Sequence, residues 1–287
     1  MKKLVLAVTV LALSTLSVAQ ILPTTKVDPQ LEAAAALAQE NAAQTVPHSP
    51  LATMTCSFTF TSGANNTYLK YCVTINGNLT QLQTPLGHEH IAVGTFGEGY
   101  GVCDTTTGVA YDDYAGFGDS GNWGAPVTTQ PNATTVKVVR STNDGIWTLT
   151  QTITQVAATS SVKIAMALKN NTAIARTAFL MRYADVDADG IFKNNLDGTH
   201  NSAFGWNSLT FTSGHTFGLA LQTVGTVPFA YDGFAQNVPN GPPPCNYIAN
   251  FASGTLLTGT DGSIVSVYVV PVPAAGTKSV TVAYKGL

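Results

Sequence analysis

The chain has 287 residues, of which only 10% are charged, with 13 basic against 16 acidic side chains and a net charge of −3. No basic cluster occurs, which argues against a nucleic-acid partner. No apolar stretch after the N-terminus is long enough to span a bilayer. With so few charges, solubility must rest on Thr, Ser, Asn, Gln and Gly, a composition suited to an exported β protein.

The N-terminus reads MKKLVLAVTVLALSTLSVAQ. Lys2 and Lys3 precede an apolar run from Leu4 to Val18, and Ser17-Val18-Ala19 supplies small residues for cleavage. This is the pattern of a secretory signal peptide over 1–19, and it predicts a secreted, periplasmic or cell-surface protein. Taking Lys2 and Lys3 from the 13 basic residues leaves 11 against 16 acidic ones, a net charge of −5. Residues 20–50 are Ala-rich, with Asp28 placed as an N-cap and Pro29 at the first helical position. TVPHSP then ends the pattern. We read 20–50 as a helical spacer or pro-segment and 51–287 as one domain.

Four cysteines follow, an even count that in an exported chain points to two disulfides with three connectivities. CSFTFTSGANNTYLKYC reads as strand, turn near Gly63–Asn66, strand, which brings Cys56 opposite Cys72. Cys103 and Cys245 are then left to pair across a long loop. The spacing of a CxxC redox or zinc pair is missing.

Next comes GHEHIAVGTFGEGYG, residues 87–101, with two of the five histidines and the only glutamates after residue 40. On a strand, His88 and His90 would share one face and Glu89 the other. An H-x-H pair can chelate a metal when a third ligand arrives from elsewhere. Glu98 lies too far along for the His-x-His…Glu spacing of cupins. Alternatively, Glu89 and Glu98 could act as acid and base of a glycosidase or lyase, given a carboxyl separation of about 5–10 Å. The simplest reading is a strand with exposed His and Glu and a glycine-rich turn.

YDDYAGFGDSGNWGAP, residues 111–126, interleaves Tyr111, Tyr114, Phe117 and Trp123 with Gly, Asp and Asn. Aromatic faces stack on sugar rings while amides and carboxylates meet hydroxyls, so these four are candidate glycan-binding residues. GDSG at 118–121 resembles the nucleophile motif of trypsin-like serine proteases. Only about thirty residues separate His90 from Ser120, too few for the double barrel that such a triad spans.

From 134 to 184 the period is two. SVKIAMALK sets Val162, Ile164, Met166 and Leu168 against Lys163 and Lys169. IWTLTQTITQ sets Trp147, Leu149 and Ile153 against a column of threonines. Turns at 141–145, 157–161 and 170–173 predict a four-stranded antiparallel meander. Its last strand, IARTAFLMRYA, is apolar on both faces and should be central. Further strands are expected at 53–61, 67–76, 88–95, 216–223, 262–270 and 278–284. VPNGPPPCN, 238–246, can only be a surface loop, tied down by Cys245. N-x-T sequons at Asn65, Asn78, Asn132 and Asn170 mark expected surface turns.

RYADVDADGIFKNNLDG, residues 182–198, carries the strongest local signal. Asp185, Asp187, Asp189 and Gly190 match the D-x-D-x-D-G opening of a calcium loop, with the Ile191 carbonyl at the seventh position. The twelfth position is Leu196 rather than Glu, and Asp197 comes one residue late. A structural Ca2+ would relieve the repulsion between clustered carboxylates.

Together these observations predict an all-β chain: a large two-sheet antiparallel β-sandwich behind a signal peptide and a short helical or linker segment. With no catalytic spacing satisfied, the function expected is non-enzymatic binding of a polysaccharide or cell-surface glycan outside the cytoplasm. The alternative is a secreted carbohydrate-active enzyme working through His88, Glu89, His90 and Glu98.

Overall fold

Alternation is what the chain obeys in three dimensions. The computed structural model describes residues 55–91, 97–115, 118–207, 216–237, 243–249 and 256–287. The signal peptide and the 20–50 spacer lie outside the described residues, as does Phe117. The strands are β1 (Phe58–Ser62), β2 (Leu69–Val73), β3 (Leu79–Gln83), β4 (Glu98–Asp104), β5 (Val109–Tyr114) and β6 (Gly118–Asp119). They continue with β7 (Val127–Asn132), β8 (Thr135–Ser141), β9 (Trp147–Val156), β10 (Ser161–Asn170), β11 (Arg176–Asp185) and β12 (Asn194–Thr199). The last are β13 (Ser202–Asn207), β14 (Gly218–Thr223), β15 (Tyr231–Gln236), β16 (Leu257–Thr260), β17 (Ser263–Val272) and β18 (Thr277–Gly286).

Two large antiparallel sheets make an all-β sandwich. One has nine strands in the order β16-β12-β13-β14-β18-β10-β9-β8-β7, and the other six, β15-β17-β11-β4-β5-β6. The hairpin β1-β2-β3 is a separate small sheet whose Phe60, Leu69, Tyr71 and Leu82 join the same core. Val162, Ile164, Met166 and Leu168 of β10 all point into that core, and Lys163 and Lys169 point out. The pleat alone places them.

The four-stranded meander is corrected to three. Strands β8, β9 and β10 are sheet neighbours, but β11 crosses to the opposite sheet and lies between β17 and β4. Its apolar character on both faces is the reason. One face meets the main core, and the other meets a second cluster of Cys103, Tyr114, Phe179, Met181, Tyr183, Val265 and Val267. A short 3-10 helix, Pro244–Ala249, begins inside the 238–246 segment expected only as loop and runs past it, and Cys245 packs against this second cluster. Of the strand expected at 88–95, residues 92–95 lie outside the described residues, and 88–91 make only isolated bridges, Gln83 with Glu89 and Ile91 with Val186. Both disulfides form as expected, Cys56–Cys72 and Cys103–Cys245. Two of the four sequons are not surface turns. Asn78 and Asn170 are fully buried, their amides donating to the Asp113 carbonyl at 3.0 Å and the Ile174 carbonyl at 2.6 Å.

Between the sheets lies an internal polar layer. Arg182 on β11 forms an ion pair with Glu98 on β4, reaches Gln151 on β9, and donates to the Gly77 carbonyl at 3.0 Å. Glu98 also accepts from the Leu79 N–H at 2.7 Å and the Tyr284 hydroxyl at 2.9 Å. A second pair joins Arg140 of β8 to Asp113 of β5, with the Asn76 amide on the same carboxylate at 2.8 Å. Both pairs are buried, so the partners and hydrogen bonds around each charge have to offset its lost hydration.

Candidate functional site

The aromatic group does not form an exposed platform. Tyr111 and Tyr114 are each 1% exposed and Trp123 is 0% exposed. On β5, Tyr111 faces inward and packs edge-on against Trp123, while the Arg140 guanidinium sits over the Trp123 ring at 5.5 Å. Tyr114 faces the other way, against Tyr183 in the second cluster. Their odd spacing on β5 puts Tyr111 and Tyr114 on opposite faces, and cover over both faces makes both of them core.

The His/Glu segment is dispersed. Glu98 is consumed by Arg182 between the sheets. Glu89 turns back on its own chain, accepting from the Leu82 N–H at 2.8 Å and the Ile91 N–H at 3.2 Å, and burial pushes its carboxyl up. His90 is fully buried, its Nε2 donating to the Thr84 carbonyl at 2.5 Å, and burial lowers its pKa. His88 faces elsewhere, with Nδ1 2.8 Å from Asp189 Oδ1. The two histidines, Glu89 and Glu98 are therefore each held by different partners.

His88 does line a cleft of about 750 Å³, within the size range of small-ligand sites. Its ring stacks on Phe217 with centroids 3.6 Å apart and planes at 17°. Asn65, Asn66, Ser160 and Lys285 bring amide, hydroxyl and ammonium groups to the walls. The cleft is assembled from the β1–β2 turn, the segment after β3, the β9–β10 turn, the lead into β14 and the end of β18. Three hydrogen bonds tie these pieces together: Leu86 N–H to the Asn65 carbonyl at 3.0 Å, Ser160 Oγ to the Thr67 carbonyl at 2.8 Å, and Leu287 N–H to the Gly218 carbonyl at 2.9 Å. Sequence reading took His88 from this group and missed Phe217, Asn65, Asn66 and Lys285 as residues lining one cleft. Only strand order joins them.

The aspartate loop follows β11, as expected, but in a different register. Asp189 adopts a left-handed backbone (φ 62°) that turns its carboxylate to His88. The Ile191 carbonyl instead accepts from the Asn194 amide at 2.6 Å. Asp197 lies on β12 and accepts from the Gly198 N–H at 2.7 Å. Asp185 and Asp187 meet Asp261, from the β16–β17 turn, with one carboxylate oxygen of each within 4.8 Å of the others. Among the described residues, no helix is long and apolar enough to cross a membrane.

No protein-family model matches the chain, and no curated protein sequence matches it. Among solved structures, it is similar to a bacterial glucoamylase complexed with acarbose, with TM-score 0.53 and 10% identity over 84% of this chain. The chain spans about a third of that enzyme's length, 34%. It also aligns with a galactose mutarotase-like protein from Lactobacillus casei (TM-score 0.44, 10% identity, 80% of this chain and 100% of that one). A heparan sulfate lyase from Pedobacter heparinus aligns at TM-score 0.44 and 9% identity, over 91% of this chain and 42% of that one. The glucoamylase likeness is one of fold, and it agrees with the sandwich described above.

Proposed function

We propose that the chain is an exported, non-enzymatic glycan-binding protein whose ligand occupies the cleft at His88 and Phe217. The observation that carries the reading is the composition of that cleft: a stacked aromatic pair among amides, hydroxyls and one ammonium. A sugar offers apolar ring faces and many hydroxyls, and these groups match both. The solved structure of similar fold, a glucoamylase complexed with acarbose, supports the same ligand class by analogy. The described side chains that line the cleft are amide, hydroxyl, imidazole, ammonium and apolar groups, a set suited to holding a sugar. The signal-peptide pattern and the two disulfides support action outside the cytoplasm.

Binding to a panel of immobilised polysaccharides tests this directly. The parent protein should retain one polysaccharide class, and Phe217→Ala should weaken it about tenfold or more, the loss of roughly 1.4 kcal/mol. A parent protein that binds nothing, or a Phe217→Ala profile identical to the parent's, would overturn the proposal.

A second reading rests on Asp189. Its bond to His88 Nδ1 leaves Nε2 to act as a base, and Lys285 lines the same cleft. That pair suits β-elimination on a uronic acid: His88 takes the C5 proton, the C5–H electron pair forms the C4=C5 double bond, the C4–O pair leaves with the glycosidic oxygen, and Lys285 gives that oxygen a proton. Unsaturated, ultraviolet-absorbing ends lost in His88→Ala would favour this over simple binding.

A further inference from the structure

Asp185 is 4% exposed, and its Oδ1 has no hydrogen-bond partner. Asp187 Oδ1 is also buried without a partner. An ionised carboxylate oxygen shut off from water and from every donor is a costly arrangement. Here two such oxygens belong to a group of three carboxylates whose ligand atoms lie within 4.8 Å of one another. Oxygens bound to one calcium at 2.3–2.6 Å can be no farther apart than about 5 Å, so the cluster suits a single ion.

Backbone geometry explains why these three meet. Asp185 ends β11 opposite Ser263 of β17, and the Val186 N–H donates to the Gly262 carbonyl at 3.2 Å. That pairing brings the β11–β12 turn against the β16–β17 turn, which carries Asp261. The donors are hard oxygens with no thiolate or imidazole among them, which excludes a soft-metal preference and favours calcium. Asn194, the first residue of β12, donates to the Val186 and Ile191 carbonyls and leaves its own Oδ1 buried and unpartnered.

We propose that Asp185, Asp187 and Asp261 form a calcium site that fastens the β11–β12 turn to the β16–β17 turn. The register differs from the one the D-x-D-x-D-G spacing implies. Two of its ligands come from that motif, the third comes from far along the chain, and Asp189 is excluded because it holds His88. The electrostatics agree. Burial, Asp187 and Asp261 push the Asp185 carboxyl well above its usual range, and burial with Asp261 pushes Asp187 up to about 6. A divalent cation would offset that mutual repulsion.

The site also has a consequence for the cleft. Asp187 N–H donates to the His90 carbonyl at 3.1 Å, and Asp189 pairs with His88, so the metal-bearing turn also positions the cleft histidine. That consequence rests on the cleft being the binding surface, whereas the ion site does not.

Calcium titration by calorimetry, with melting in calcium, magnesium or chelator and no glycan present, tests the site alone. We expect one ion per chain and a melting temperature higher by about 5–10 °C at a calcium concentration a hundred times the dissociation constant. Asp187→Asn and Asp261→Asn should lose that rise yet melt in chelator at or above the parent's temperature, because each removes a repelling charge. Asp197→Asn should keep the full rise. That crossover cannot come from misfolding, which would lower both melting temperatures. No calcium uptake, a rise retained by Asp261→Asn but lost in Asp197→Asn, or a larger rise with magnesium would each overturn the proposal.

Discussion

Replacing Arg182 by Met removes the cation from the buried layer and leaves its partners in place. Arg182 and Glu98 are both fully buried, one on β11 and one on β4. In the native protein burial works against the Arg182 charge, but Glu98 and Tyr284 together outweigh it and raise the guanidinium's pKa. Burial pushes Glu98 the other way, upward, opposed mainly by Arg182 and by the Leu79 N–H. In Arg182→Met the carboxylate keeps only the Leu79 N–H and the Tyr284 hydroxyl. Orphaning one member of such a pair costs about 3–5 kcal/mol. For a domain of this size that lowers the melting temperature by roughly 6–20 °C.

The pH dependence has a definite sign. With the guanidinium gone, Glu98 in the folded variant titrates above its unfolded value. The folded state then binds the proton more tightly, and stability falls as pH rises from the unfolded pKa toward the folded one. The deficit relative to the parent should therefore be small near pH 4.5 and largest near pH 8. Adding Glu98→Leu should recover only part of it, because Leu79 N–H, Gln151 and the Gly77 carbonyl still lose partners. Thermal melts followed by circular dichroism at several pH values provide the test. A variant within about 1 kcal/mol of the parent, or a deficit equal at both pH extremes, would refute the reasoning.

Trp123→Ala should cost about 3–5 kcal/mol of stability, as a buried aromatic does when truncated, and should leave glycan affinity unchanged below its lowered melting temperature. An unaltered melt with altered glycan binding would restore Trp123 as a surface contact. The disulfides should rank by loop size in the chain-entropy picture: replacing both cysteines of Cys103–Cys245, which closes 142 residues, costs about 5 kcal/mol, and Cys56–Cys72, which closes 16, about 3. Urea unfolding of the two double-alanine variants decides the order, and the reverse order would count against a dominant unfolded-state effect.

Much of the architecture was legible because it depends on short-range pattern. The pleat puts Val162, Ile164, Met166 and Leu168 on one face whatever the neighbours are, and a 16-residue separation around a turn brings Cys56 to Cys72. Asp185 and Asp187 likewise announced themselves by spacing. What only the tertiary structure decided is which strands become neighbours. An antiparallel sandwich pairs residues across large sequence distances, and side-chain alternation carries no label for the partner strand. Crossing to the second sheet made β11 central and set Arg182 against Glu98. The pairing of β11 with β17 brought Asp261 to the aspartate loop. The cover on β5 turned Tyr111, Tyr114 and Trp123 from candidate sugar platforms into core. The pairing of β14 with β18 brought Phe217 near Lys285, and the segment after β3 carried His88 to the same cleft, which therefore has no contiguous trace in the sequence.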